Sequence, residues 1–307
     1  MTRTLLHIGY HKTATTWLQE VLFNDTEKGF YSPWNRSQIT EDFIKPNALT
    51  FNPLKTIARY ENGISKAAQD NLVATVSHER LSGYPASGGF DSKLIADRLF
   101  ASFEKASVLI IIREQKSIIR SWYQQYIKDG GSMSLSKSLD LPHEAPFRVP
   151  HFTPDFYKYD ALINYYQNLF TKDKVLVLPF ELLAADPTNF VERIIGFTGI
   201  EKVPSVSIDP HNKGRGVLRT VTGRYGNRLF ALNQLNTCAL INWPWMNQKI
   251  WRLGSLLSQV TPAAIENSFE RRTKAYIKQY TGDCYKESNQ KTSELIDIDL
   301  STFNYDC

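Results

Sequence analysis

Four short stretches of this sequence hold residue types whose spacing could do chemistry. Gly9-Tyr-His-Lys-Thr-Ala-Thr-Thr-Trp17 follows an apolar run and opens an amphipathic one. In such a strand-turn-helix the backbone N–H groups and the positive end of the helix converge where an anion would sit, with the Lys12 ammonium and the hydroxyls of Thr13, Thr15 and Thr16 as further donors. It is not the ATP-binding G-x-x-x-x-G-K-[ST] loop: lysine stands three positions after Gly9, and Ala14 takes the place of a second glycine. Arg113 ends a second apolar run and Ser121 lies eight residues on. An arginine fork at a strand's carboxyl end and a hydroxyl early in the next helix can both face an anion above a sheet. Ser77-His78-Glu79-Arg80 supplies two groups able to take a proton, and His211-Asn-Lys213-Gly214-Arg215-Gly216 sets two cations around a glycine.

The elements that must hold these groups read as alternating strands and helices. Strands are predicted at 4–8, 72–76, 108–112 and 174–178, and helices from 13 or 15 to 23, 94–103, 117–126, 159–170 and 187–197. That alternation predicts an α/β fold with a mainly parallel central sheet flanked by helices. Residues 24–62 and 129–158 break the pattern and are expected as insertions on the ligand side. Their aromatics, Phe30, Tyr31, Trp34, Phe147, Phe152, Phe156 and Tyr157, suit either stacking on a ring-shaped acceptor or small local cores. After about residue 215 the pattern is helical with weak strands. One domain is expected over 1–307, with a core to about 215 and a C-terminal helical lobe over 216–307.

Composition narrows the classes. With 307 residues, 42% hydrophobic and 22% charged, the chain is an ordinary globular one and neither disordered nor a coiled coil. A formal charge of +5 suits an anionic ligand without requiring nucleic acid. Cys238, Cys284 and Cys307 form neither a C-x-x-C pair nor a zinc pattern and read as reduced thiols, which with the absence of a leader-like N-terminus predicts a cytoplasmic protein. No window reaches the length of a membrane span. The richest, 229–245, is interrupted by polar residues and predicts a packed helix plus loop, with peripheral membrane contact left open.

Lys12-Thr-Ala-Thr-Thr-Trp-Leu18 resembles the 5′-phosphosulfate loop of sulfotransferases, K-[ST]-G-T-T-x-L, and Arg113 and Ser121 resemble the pair that holds the 3′-phosphate in that family. More loosely, 175–187 resembles the family's strand followed by Y-E-D-L-x-x-D-P, and 285–305 its C-terminal pattern in bacterial members. The resemblance implies a P-loop-like sulfotransferase fold, 3′-phosphoadenosine 5′-phosphosulfate (PAPS) as donor, 3′,5′-adenosine bisphosphate (PAP) as product, and no metal. It implies that Lys12 meets the bridging oxygen, that His11 and Thr13 to Thr16 cradle the 5′-phosphate, and that Trp17 lies against adenine or in the core. Lys213, Gly214 and Arg215 correspond to a late basic loop over the 3′-phosphate or to a plain surface turn. Ala14 stands where the family has glycine, and its Cβ predicts a loop that avoids positive φ. Glu79 is the first choice for the base, ahead of His78 and then His11. Glu181 and Asp186 are expected to cap and position the following helix. By analogy the acceptor is a carbohydrate or glycolipid hydroxyl. A magnesium-dependent nucleotide kinase of related fold and a non-catalytic polyanion binder are the other classes. Arg113, standing where a kinase would place a metal-binding aspartate, weighs against the first.

Overall fold

Val108-Leu-Ile-Ile-Ile112 consists of β-branched and leucine side chains that pack on both faces of a pleated surface, and all five are fully buried in the strand they form. The computed structural model describes residues 3–140, 152–201 and 216–307. The strands are β1 (Arg3–His7), β2 (Phe30–Tyr31), β3 (Val73–Ser77), β4 (Ser107–Ile112) and β5 (Val175–Pro179). All neighbours are parallel, in the order β2-β3-β1-β4-β5. Four strands lie where the apolar runs predict them. The fifth, β2, is only two residues long and pairs with β3 through Phe30↔Val73 and Tyr31↔Ala74.

β1 is central, with β3 on one side and β4 on the other. The chain therefore leaves the sheet in opposite directions from this point, and the crevice beyond the carboxyl ends of such strands is where α/β sheets bind ligands. The register aligns His7 with Ser77 and with Leu109, so the segments after β1, β3 and β4 emerge side by side. Two further bonds carry the β1–β4 ladder into the loop, Ile8 N–H to Leu109 O (3.0 Å) and Tyr10 N–H to Ile111 O (3.1 Å).

The described residues fall into two compact units. One comprises 3–114, 153–201 and 283–307 and contains the whole sheet; the other comprises 115–140, 152 and 216–282 and is helical. In the first, Leu5, Leu109, Ile111 and Leu178 pack against Leu18, Leu22, Phe190 and Ile194. Tyr10, Tyr157 and Tyr159 form a second buried cluster, with Tyr10 and Tyr159 edge-on at 4.8 Å. Asp186 accepts the Asn189 N–H and caps the helix Pro187–Thr198, as its position predicts. In the second unit, buried Asn227 donates to the carbonyls of Ile127 (2.7 Å) and Gly131 (2.8 Å) and accepts from Asn247 (3.0 Å) and Trp251 (3.3 Å). One side chain thereby satisfies groups on two helices and a turn.

The first insertion yields β2 and the helices Arg36–Ile39, Pro53–Ala58 and Glu61–Gln69. Of the insertion aromatics, Tyr31 is half-buried and five others pack in local cores. Phe30, Trp34, Phe156 and Tyr157 are buried in the first unit, where Trp34 lies 4.9 Å from Tyr60. In the second, Phe152 stacks on Trp122 at 4.6 Å. Phe147 lies outside the described residues. In place of weak strands after 215 there is one antiparallel bridge, Asn233 to Asn236, among the described residues, and helices elsewhere. The window 229–245 is a helix end, a loop and the start of the helix Pro244–Val260.

Candidate active site

The loop after β1 is held by close approach and by two strained residues. A Cβ added at Gly9 would stand 2.8 Å from His7 Nε2 and 3.1 Å from Thr13 Oγ1, so only glycine lets the turn pass over the strand end. Lys12 and Ala14 then both take left-handed backbone angles, with φ of 68° and 62°. This corrects the expectation that Ala14 would avoid positive φ. The left-handed well is small but open to a Cβ, at a cost of roughly 1–2 kcal/mol, and the surrounding bonds hold the residue there. Among them, the Thr13 hydroxyl donates to Tyr10 O and is fully buried, and Leu18 N–H bonds Ala14 O to start the helix Thr15–Trp17. That helix widens into a π-helical turn over Leu18–Phe23.

The loop side chains thus divide. Lys12 and Thr16 are exposed, whereas Thr13 and Thr15 are buried. The Thr13 hydroxyl proton is committed to Tyr10, which leaves its backbone N–H as the group with anion-binding potential. Trp17 is half-buried and packs against the core cluster.

Arg113 reaches the loop from the end of β4. Its Nη1 donates to Lys12 O at 2.9 Å and its guanidinium lies 4.7 Å over the Phe180 ring. Because the peptide plane sets N–H opposite C=O, a carbonyl turned toward Arg113 aims the Thr13 N–H the other way. The backbone behind Arg113 is fixed as well: Tyr159 Oη donates to Arg113 O, and Glu114 N–H donates to Glu181 Oε1 at 3.0 Å. Glu181 also accepts from Tyr305 Oη at 3.1 Å. Burial raises its carboxyl above the ordinary value, with these hydrogen bonds opposing. Glu181 therefore ties β4 to the C-terminal segment, and the helix cap expected of it falls to Asp186 alone. Ser121 lies in the helix Gln115–Lys128, half-buried, in the second unit. Lys213, Gly214 and Arg215 lie outside the described residues.

The segment after β3 brings the proton-accepting candidates together. Arg36, from the first insertion, forms an ion pair with Glu79 Oε1. His78 Nδ1 lies 3.0 Å from Arg80 N and 3.4 Å from Glu79 Oε2. The amide requires a lone pair at that nitrogen and the carboxylate requires a proton, so the ring serves one at a time. Burial opposes ionisation of Glu79, but the His78 hydrogen bond and charge, with Arg36 behind them, hold its carboxyl well below the usual range. His11 lies edge-on to Tyr84 at 5.7 Å, with Nδ1 buried and unpaired. Burial lowers its pKa to about 4, against the opposing charge of Glu79. At that value the His11 ring is neutral near pH 7.

Sequence reading passed over Arg36 and His7. His7 is wholly buried at the end of β1, its Nδ1 2.8 Å from Ser77 Oγ, which also accepts from Gln19 Nε2 at 3.1 Å. The available signal was a histidine closing an otherwise apolar strand. Burial lowers the His7 pKa from 6.5 to about 3, with Glu79 raising it and His78 lowering it further. Between pH 6.5 and 5 the unfolded chain takes up this proton and the folded one does not, so stability falls as pH falls, by about 2 kcal/mol over that window. Glu79 adds nothing there, because both its folded and its unfolded values lie lower. His11, lowered to about 4, adds a loss of the same sign, so urea unfolding at pH 6.5 and 5 should show more than this loss in the parent protein and a loss smaller by about 2 kcal/mol in His7→Asn. Equal losses in both would place the proton on His7 in the fold.

Comparison with known proteins decides the family. Residues 2–208 match the sulfotransferase domain family. The chain belongs to the sulfotransferase family. No curated protein matches the sequence. Among solved structures it is similar to a sulfotransferase from Alicyclobacillus acidocaldarius, with 21% identity over 82% of this chain and 99% of that one and a TM-score of 0.48. It is also similar to the sulfotransferase domain of the Synechococcus PCC 7002 olefin synthase, with 13% identity, 87% and 94% coverage and a TM-score of 0.38. A sulfotransferase domain from the curacin biosynthetic pathway gives 12%, 68% and 76%, and 0.34. Membership makes the protein a transferase and agrees with the parallel, helix-flanked sheet.

Proposed function

We propose that this sulfotransferase moves a sulfuryl group from PAPS to a hydroxyl of a carbohydrate or glycolipid. The observation that carries the donor reading is the contact between Arg113 and Lys12 O, which joins the β4 end to the strained loop after β1. Those are the two segments whose residues resemble the phosphosulfate and 3′-phosphate motifs. In this reading the loop amides and Lys12 receive the 5′-phosphosulfate and Arg113 the 3′-phosphate, with Ser121 and 213–215 assigned to the same nucleotide by resemblance. The acceptor oxygen bonds to sulfur as the bond from sulfur to the bridging phosphate oxygen breaks. The electron pair leaves on PAP, where the Lys12 ammonium offsets the growing charge. Sulfuryl transfer gathers less charge on the moving group than phosphoryl transfer, so these donors suffice without a metal.

Glu79 is the proposed base. With its pKa lowered it is ionised at neutral pH, and an acceptor hydroxyl that displaces Arg36, whose side chain is half exposed, would leave the carboxylate free to take the proton. Transfer of labelled sulfate from PAPS to a panel of saccharides and glycolipids, with phenols and alkyl alcohols alongside, tests the acceptor class. Labelling of saccharide hydroxyls is expected, and labelling confined to phenols or alkyl alcohols would overturn it. Glu79→Gln keeps the shape and removes the basicity. It should lower kcat about a hundredfold and leave PAP affinity unchanged. Near-normal turnover in Glu79→Gln with an inactive His78→Ala would move the base to His78.

A further inference from the structure

Within the helical unit, the helices Val217–Phe230 and Pro244–Val260 pack closely on each other. A Cβ at Gly223 would fall 2.4 Å from the Trp251 ring, and one at Gly254 would fall 1.9 Å from Thr222 Oγ1. That contact uses one face of Pro244–Val260. Its other face carries large apolar side chains in solvent: Trp245 is 51% exposed, Leu256 59% and Val260 77%, with Leu253 and Leu257 beside them. At the rotation of an α-helix these five residues span about a third of the circumference. The loop before the helix adds exposed Leu240, Ile241 and Trp243, whose ring lies 5.8 Å from Trp245.

Charge says what this face meets. Residues 216–282 contain nine Lys and Arg against two carboxylates, Glu266 and Glu270, a net +7 where the whole chain carries +5. Both carboxylates are engaged inside the unit. Glu266 accepts the Val217 N–H at 2.7 Å, and Glu270 pairs with Arg120 and with Lys274. Exposed charge over this segment is therefore positive. Lys249 falls within the apolar arc with its ammonium 4.7 Å over the Trp245 ring, and Arg252 falls at the arc's edge. Tryptophans and leucines flanked by cations that can reach outward are the composition of a helix lying in the headgroup region of an anionic bilayer. A second copy of the same face would bring like charge against like charge. No helix among the described residues is long and apolar enough to cross a membrane, so insertion stops at the interface.

We infer that the apolar, cationic face of Pro244–Val260, with the loop before it, docks the protein on an anionic lipid surface. The full chain should co-sediment with phosphatidylglycerol vesicles and not with phosphatidylcholine vesicles. Raising the salt should release it, and tryptophan emission should shift to the blue on binding. Trp245→Ala with Leu256→Ser should weaken vesicle binding tenfold or more, as should Lys249→Gln with Arg252→Gln. All four residues are exposed, so circular dichroism should match the parent in both variants. Failure to bind phosphatidylglycerol overturns the inference, as does binding indifferent to the Trp245 and Leu256 changes, which would be adsorption by charge alone. A vesicle-free dimer in light scattering that the same changes dissolve would assign the face to a second copy. Vesicle binding needs no nucleotide, so its failure is separate from failure of the PAPS reading.

Discussion

Lys12→Ala should lower kcat a hundredfold or more while weakening PAP by a much smaller factor. In the proposed transfer the ammonium would act on charge that develops as the bridging oxygen departs, so its contribution would grow on the way to the transition state. The backbone cradle has other supports. Thr13 still bonds Tyr10 O, Arg113 still bonds the carbonyl of residue 12, and an alanine at φ 68° meets the same strain as the lysine it replaces. Single-turnover rates with labelled PAPS, set beside calorimetric PAP affinities, separate the two effects. Equal loss in both would make Lys12 a ground-state binder and remove it from the chemistry.

Arg113→Ala should weaken PAP by about 30- to 700-fold, the equivalent of roughly 2–4 kcal/mol for charge-assisted bonds to a phosphate near its dianionic state. Adenosine 5′-phosphosulfate lacks the 3′-phosphate, so its affinity should fall by a smaller factor, set by the lost bond to Lys12 O. The ratio of the two losses divides direct phosphate contact from support of the loop. If both nucleotides weaken alike, Arg113 acts through the loop alone.

The strands that carry the site were legible because each is a run of apolar or β-branched residues ending in something polar: His7, Ser77, Arg113. β2 was not, since a pair of residues amid Asn, Pro and Ser has no periodicity to read. The order of motifs along the chain pointed to Lys12 and Arg113. Their contact was not readable, because it depends on β1 and β4 lying next to each other. Ala14 shows a different failure: residue type suggested a backbone angle, and the bonds that hold the loop overrode it against a strain of roughly 1–2 kcal/mol. The Arg36–Glu79 pair spans 43 residues and depends on where an irregular insertion folds, for which sequence patterning offers no signal. It bears on mechanism, since it adds to the His78 contact in favouring the ionised form of the proposed base.

The loop after β1 and Arg113 are proposed to bind a 3′-phosphorylated adenosine nucleotide together, without a metal. Calorimetry of the parent protein with PAP, and separately with ATP and magnesium, tests it most directly. Tight PAP binding, unchanged by added magnesium or chelator and reduced in Arg113→Ala, is the result expected. Binding and turnover of ATP that require magnesium, with no heat from PAP, would contradict it.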